Sequence, residues 1–439
     1  MLAGRFKPIV LFLPVIGFAL ACSSGNSAVD IDATVEAKVE EKLSSLAATP
    51  KTELVVTATS VPQITPTFIP TSVQTSIPQP SPRPRKLLPT PSPKVNAVGL
   101  KIDSGDMSLI AYSSTAADDV HQIFVLKPNG TGHTQLTFDS KTKIFPKWSP
   151  DKSTILYLAN HSDSIDLAEA EWQIHVMDDD GSNKTQLTTG SSKFWPVWSP
   201  DGHLIAFYSD LDDDGSFEEL QVMFVSSKEI ISLMPAIPTM VSWSPTNKRR
   251  ILFTCMRDGP PDFQMEGGPD FNMQLCLGDL VDFTVDQVTN AGMSQFGIYS
   301  PDGSKILLSS VRESIDAKAQ LFMMDADGTN EQQITFGGYD ITQMNWSPDG
   351  RKIVYVEEGQ IRVVSTDLSE RYSVTGVGWN DSPVWSPDSQ KLAFRCFWGF
   401  PGADGYDTYQ ICLADSPSQN EKDEFTNLTA EGDNVHPDW

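Results

Sequence analysis

From about residue 107 onward, the apolar residues fall in short β-branched and aromatic stretches broken by turn residues. ILYLA, IAFYS, ILFTC, ILLSS, IVYVE and LAFRC each follow a Pro-containing turn, usually SPD. A second set, QIHVMD, LQVMFV, MQLCLG, QLFMMD, QIRVVS and YQICLA, lies a variable distance downstream. Runs of this length and composition, bounded by Gly, Pro, Asp and Asn, predict strands rather than helices. In SPDG, Pro presets φ for the second turn position, Asp can bond the turn backbone, and Gly accepts a left-handed conformation. The turns DDDG, DADG and KPNG after the third strand carry the Asp-Gly or Asn-Gly pairs favoured in tight hairpins.

These elements recur as a unit of aromatic anchor, turn, strand, variable loop, strand, tight turn and a last strand near QLT. The anchors are Trp148, Trp198, Trp243, Tyr299, Trp346, Trp385 and Trp439, spaced 50, 45, 56, 47, 39 and 54 residues apart. Four short strands per unit of this length are the pattern of a propeller blade, and the hairpin signals exclude helical repeats. The expected fold is all-β: a seven-bladed β-propeller of four-stranded blades over residues 98–439. LIAYSS, QIFVLKPNG and TQLTF precede the first anchor and supply three outer strands without an innermost one. NVHPDW supplies the missing strand, so the two termini are expected to close the ring three strands plus one. KIDSGDMSLIAY faintly mimics the anchor motif and is a competitor for that place.

FWPVWSPDGHLIAFYSD and QLFMMDADGTNEQQITFGG carry a family resemblance. They resemble the repeat of the TolB-type β-propellers, which are related to WD-repeat propellers, over roughly residues 107–439. The resemblance implies a protein of the bacterial envelope. TolB has six blades behind an α/β domain, whereas this chain shows seven anchors behind a spacer, so the Tol–Pal partnership is not carried over. The third copy, WSPTNKRRILF, departs furthest from the repeat.

Four cysteines follow the N-terminal region, and an even number in an exported chain reads as disulfides. Cys255 and Cys396 both end the second strand of their units, and Cys276 and Cys412 share one position in the third strand. Neighbouring antiparallel strands bring such pairs within the separation a disulfide needs, so Cys255–Cys276 and Cys396–Cys412 are expected. Each would pin the base of a long loop.

Residues 1–22 have the form of an export signal: Arg5 and Lys7, then the apolar PIVLFLPVIGFALA. ALAC resembles a bacterial lipobox, with Ala19 where Leu is usual, and implies lipidation at Cys22; a secretory peptide cleaved nearby is the alternative. Within 23–50, Ile31, Val35, Val39, Leu43 and Leu46 form one stripe of a short amphipathic helix. Residues 51–97 are a Pro-, Thr- and Ser-rich linker that favours extended polyproline conformation. The chain is thus expected to be exported and lipid-anchored, with its domain held off a membrane of the cell envelope.

The whole chain has a formal charge of −25. The signal carries +2, residues 23–50 carry −3 and residues 51–94 carry +4, which leaves −28 for the remainder. That balance argues against nucleic acid and for solubility or the binding of cations, and an acidic, aromatic rim suits a cationic peptide or protein or a divalent metal. The loops between second and third strands hold 22 Asp and Glu against Arg257, Arg312 and Lys318. Among them stand Trp172, Phe217, Phe263, Phe271, Trp398, Phe400 and Tyr406, the candidate partner-binding aromatics. Asp210, Asp212 and Asp214, followed by Gly215, match the start of a calcium loop, and calcium is a candidate ligand although none is required. Gln221 stands where an EF-hand places its bidentate Glu, and Glu218 or Glu219 would have to substitute.

Catalytic signatures are sparse. No G-x-S-x-G elbow or H-E-x-x-H occurs, and the six histidines are scattered. His436 precedes the last anchor and is expected near the central channel, as a binding residue. Its counterparts are Phe145, Trp195, Met240, Phe296, Gln343 and Ser382. Interblade packing is the first use expected of this mostly apolar ring, and a lining for an extended peptide the second. The function expected is a non-catalytic binding or scaffold protein presenting an acidic, aromatic face to a protein or peptide. The alternative is an envelope enzyme, a polysaccharide lyase or hydrolase, using the same face.

Overall fold

A computed structural model of the chain describes residues 109–115, 120–162, 170–210, 218–236, 239–257, 272–312, 318–376, 378–397, 408–415, 425–430 and 432–439. The signal, the stalk stripe and the Pro-rich linker lie outside them. The strands form seven four-stranded antiparallel sheets, each with its innermost strand at one edge. Blade two is typical: inner strand Lys143–Trp148, second strand Thr154–Asn160, third strand Trp172–Asp178 and outer strand Thr185–Gln186. The remaining blades follow around the ring, their inner strands beginning at Lys193, Ser242, Met293, Ile341 and Trp379. No helix among the described residues is long and apolar enough to cross a membrane.

Ring closure is three plus one, as the sequence predicts. Asn434–Asp438 forms the inner strand beside Ile110–Ser114, Gln122–Leu126 and Thr134–Gln135. Ala111 stands opposite Asp438 and Ser114 opposite Asn434. The closing strand is held to its other neighbour by Asp438, which accepts from the Trp148 amide at 2.9 Å and the Lys147 ammonium at 2.8 Å. Trp439 packs against the buried cluster of Ile110, Tyr112, Ala393, Ile411 and Leu428, which spans blades seven and one.

Strands buried on both faces account for the near-continuous apolar runs. Ile155, Leu156, Tyr157 and Leu158 of one second strand are all buried. The alternate residues feed two interfaces: Ile155 and Tyr157 pack toward blade one, Leu156 and Leu158 toward blade three.

The repeat motifs are hydrogen-bonding devices. In each SPD turn Ser donates to Asp at 2.6 Å, as in Ser149–Asp151 and Ser199–Asp201, and accepts the amide five residues on. The divergent WSPTN copy departs from this: Ser244 pairs with Thr246 and accepts the Asn247 amide three residues on, and Asn247 Oδ1 accepts from the Arg249 amide. A second device joins the Gln near the start of the third strand to the Thr of QLT. Thr188 accepts from the Ile174 amide and donates to the Gln173 side-chain oxygen Oε1, both at 2.9 Å. Gln173 then donates to the Gly190 carbonyl at 2.6 Å. One bonded set fixes the end of a blade and the start of the connection to the next.

Both cysteine pairs are bonded as expected, with Cα atoms 5.8 Å and 5.9 Å apart. The register is diagonal: Cys255 faces Gln274 and Cys276 faces Phe253. The bridges are therefore buried within blades four and seven.

Candidate functional site

The inner strands carry an irregularity at the predicted ring position. The register against the second strand slips between Ile144 and Lys147, Phe194 and Val197, Gln295 and Ile298, and Asp381 and Val384. At each slip a non-glycine residue has left-handed backbone: Phe145 (φ 53°), Trp195 (φ 50°), Phe296 (φ 54°) and Ser382 (φ 52°). His436 (φ 54°) repeats it in the closing strand. Such backbone is costly for bulky residues, about 1–3 kcal/mol each, and bulges re-aim side chains. Repetition in five blades makes it part of the architecture.

These side chains meet around the axis. The His436 and Phe145 ring centres are 3.7 Å apart, and Phe145 and Trp195 are 5.1 Å apart. Three rings from three blades thus form a continuous ladder, and Trp195 leaves 49% of its surface exposed. Phe296 instead packs onto the cluster containing Ile341 and Met344. Gln343 and Ser382 form a polar arc, the Ser382 amide donating to the Gln343 side-chain Oε1 at 2.5 Å. Packing between blades, the first use expected of the ring, is present, and Trp195 adds one exposed aromatic face.

Beside His436, charged groups that the sequence did not single out converge on the closure. Arg395 Nε donates to Asp381 Oδ1 at 2.6 Å, and its guanidinium lies 4.1 Å over the Tyr409 ring. Asp433 accepts from the Tyr409 amide at 2.9 Å and lies 3.3 Å from His121 Nε2. Burial alone would raise the Asp433 pKa, but His121, the Tyr409 amide and Arg395 outweigh it and hold the carboxyl below its ordinary value. Burial, aided by Arg395, His121 and Lys147, pushes His436 down to about 3, so its ring is neutral at physiological pH. The signal for Asp433 was present in the repeat: it occupies the position of Trp379 and Asp340, at the entry to the inner strand.

The predicted rim residues separate. Trp172 is only 4% exposed and packs with Ala170, Ile174 and Phe207 between blades two and three. This corrects its reading as a partner-binding aromatic: it opens the third strand, where the pleat turns it inward. Phe217, Phe263, Phe271, Trp398, Phe400 and Tyr406 lie outside the described residues, as do Asp212 and Asp214. Asp210 ends the second strand of blade three. Among the described residues no group of three or more His, Cys, Asp or Glu is placed to hold a metal.

On the opposite face a cavity of about 510 Å³ opens between the turns of blades five and six. Its carboxylates, Asp302, Asp349 and Asp367, already accept from Ser300, Ser347 and Ser365. Among the described residues, that leaves the axial ladder as the better-equipped surface.

The sequence model of the TolB beta propeller domain matches residues 166–397, more than half of the chain. The chain belongs to the TolB β-propeller family. This TolB-type propeller is 37% identical over 103 residues to the Tol-Pal system protein TolB of Alcanivorax borkumensis, covering 22% of this chain and 24% of that protein. It is 30% identical over 115 residues to dipeptidyl-peptidase 5 of Porphyromonas endodontalis, covering 24% and 16%. The chain therefore spans a quarter or less of the length of these two relatives. Among solved structures, the β-propeller domain of the trilobed protease from Pyrococcus furiosus aligns with a TM-score of 0.54 at 14% identity, over 74% of this chain and 93% of that one.

Proposed function

We propose that this TolB-type propeller is a non-catalytic binding or scaffold protein of the bacterial envelope, presenting its acidic, aromatic face to a basic protein or peptide. The observation that carries the reading is the His436–Phe145–Trp195 ladder, whose half-exposed indole is held by strained backbone on an inner strand. Rigid aromatics on a fixed scaffold are the usual anchors of protein recognition. The net charge of −25 favours a cationic partner. Capture from envelope extracts with the immobilised full chain tests this. A partner should be retained at low salt, released at high salt, and lost with Trp195→Ala; retention indifferent to both would count against the reading.

The envelope location rests on the export signal and on the family. Anchoring through Cys22 predicts incorporation of labelled fatty acid in a bacterial host, abolished by Cys22→Ser; unchanged labelling would refute it. Calcium at Asp210, Asp212 and Asp214 is an accessory proposal, and absence of heat with millimolar calcium would dismiss it.

The rival reading is an enzyme of lyase or hydrolase type. It draws on the convergence of Arg395, Asp381, His121, Asp433 and neutral His436 at the closure. Both acids are already engaged in ion pairs, which suits structure better than proton transfer. Turnover of a panel of oligouronides or peptides, lost on His436→Phe, would establish the rival.

A further inference from the structure

The connection between second and third strands in blade six is only two residues, Glu358 and Gly359, between Glu357 and its strand partner Gln360. The other six blades place seven or more residues there. This short turn is flanked by exposed aromatics. On one side is the connection holding Phe336 and Tyr339, the latter 51% exposed, and its Gly337 lies against Glu357. On the other is Trp379, 49% exposed. A Cβ on Gly359 would fall 2.8 Å from the indole, and Gly359 has φ +69°, so only glycine lets the ring come this close to the turn. The Asn380 amide, next in sequence, donates to the Gly359 carbonyl at 2.8 Å and fixes the arrangement.

The described residues place a cation over an aromatic ring four times: lysines stand off at 6.0 Å from Trp148 and Tyr372, and two arginines come closer. Arg395 lies 4.1 Å over Tyr409 with Asp381 beside it. Arg312 lies 4.6 Å over Phe322 with Glu331 2.5 Å from its guanidinium. In both, a planar cation is held by an aromatic face below and a carboxylate alongside. At the blade-six turn the ring of Trp379 and the acid Glu358 are present without a cation between them, the neighbouring Arg362 being paired with Glu357 at 2.6 Å. Trp379 has no cation over it, and exposed Glu358 forms no ion pair, among the described residues.

We propose that the turn of blade six receives an arginine side chain of a basic partner polypeptide, stacked on Trp379 beside Glu358. The inference rests on the basic-partner reading above and adds the place and the residue type. Arginine is favoured over lysine because its planar guanidinium matches the indole face while its N–H groups reach the carboxylate. The backbone around Gly359 is already bonded, so recognition runs through side chains rather than through an added strand.

The test is fluorescence anisotropy of a labelled nine-residue peptide alternating arginine with Gly-Ser pairs, titrated with the full chain at low salt. Wild type should bind, and lysine in place of arginine should weaken binding. Trp379→Ala should weaken it about two- to fivefold, and Glu358→Gln should weaken it and flatten the salt dependence. Trp379→Phe, which keeps a ring, should fall between, and with Glu358→Gln it carries the test if the alanine variant misfolds. Wild-type affinity in these variants, with salt-sensitive binding intact, would overturn the blade-six site and leave the basic-partner reading standing. No binding by wild type would overturn both.

Discussion

Asp438 Oδ2 accepts a hydrogen bond from the Trp148 amide at 2.9 Å, across 290 positions of sequence. The same carboxylate holds the Lys147 ammonium. One side chain of the closing strand thus ties blade one to blade two. Asp438→Ala would leave the Trp148 amide without its acceptor, a loss of about 1–3 kcal/mol for a buried donor. In a domain of this size each kcal/mol lowers Tm by about 2–4 °C. Removing residues 434–439 should cost more, because the ladder to Ile110–Ser114 goes as well. Calorimetry of the two variants checks the order, and an unchanged Tm in the truncation would mean that another segment fills the place.

Acid should destabilise the propeller before its carboxylates titrate. His436 is pushed down to about 3 and His175 to about 4, burial being the largest cause in each. An unfolded histidine titrates near 6.5, so between these values the unfolded chain binds more protons and stability falls as pH falls. The contribution is complete above about pH 6.5 and erodes toward pH 4. His436→Phe should flatten part of that slope, since Phe145 and Phe296 show that the left-handed position accepts phenylalanine. A Tm against pH profile identical to wild type would remove His436 as a contributor.

Reduction should loosen blades four and seven. Each bridge closes a short loop, with sequence separations of 21 and 16, for which chain-entropy reasoning gives about 3 kcal/mol. Replacing Cys255 and Cys276 together by alanine should lower Tm by several degrees while the second bridge still resists alkylation. Peptide mapping that joined Cys255 to Cys396 would contradict the pairing.

The blade count, the closure and the cysteine pairs were legible because each is written as a repeated position, and position in a repeat is position in a blade. Trp172 was misplaced because its neighbours in sequence are loop residues, while strand pleat directs its side chain into the interface with blade three. The convergence of Arg395, Asp381, Asp433 and His121 was illegible for a different reason. It joins the last blade to the first, so its members stand up to 312 positions apart and share no motif. The significance of Trp379 depended on Gly359, a contact across two blades that no spacing encodes.

The Gln–Thr device makes the sharpest test of what the repeat is for. Thr137, Thr188, Thr289, Thr335, Thr375 and Thr429 each accept a third-strand amide at 2.9 Å. Blade three has no QLT, and its outer strand is Ile230–Ala236, seven residues against two to four elsewhere. A longer backbone ladder stands there where the other blades use a side-chain latch. Thr188→Val keeps the shape and removes the hydroxyl, leaving the Ile174 amide without its acceptor and Gln173 Oε1 without its donor. The expected cost is about 1–3 kcal/mol, with Thr188→Ser recovering most of it. Hydrogen exchange should rise first at Ile174 and along the outer strand of blade two, while blade three is unaffected. If Thr188→Val instead leaves exchange and Tm at wild-type values, the latch is dispensable and the threonine is held by packing alone.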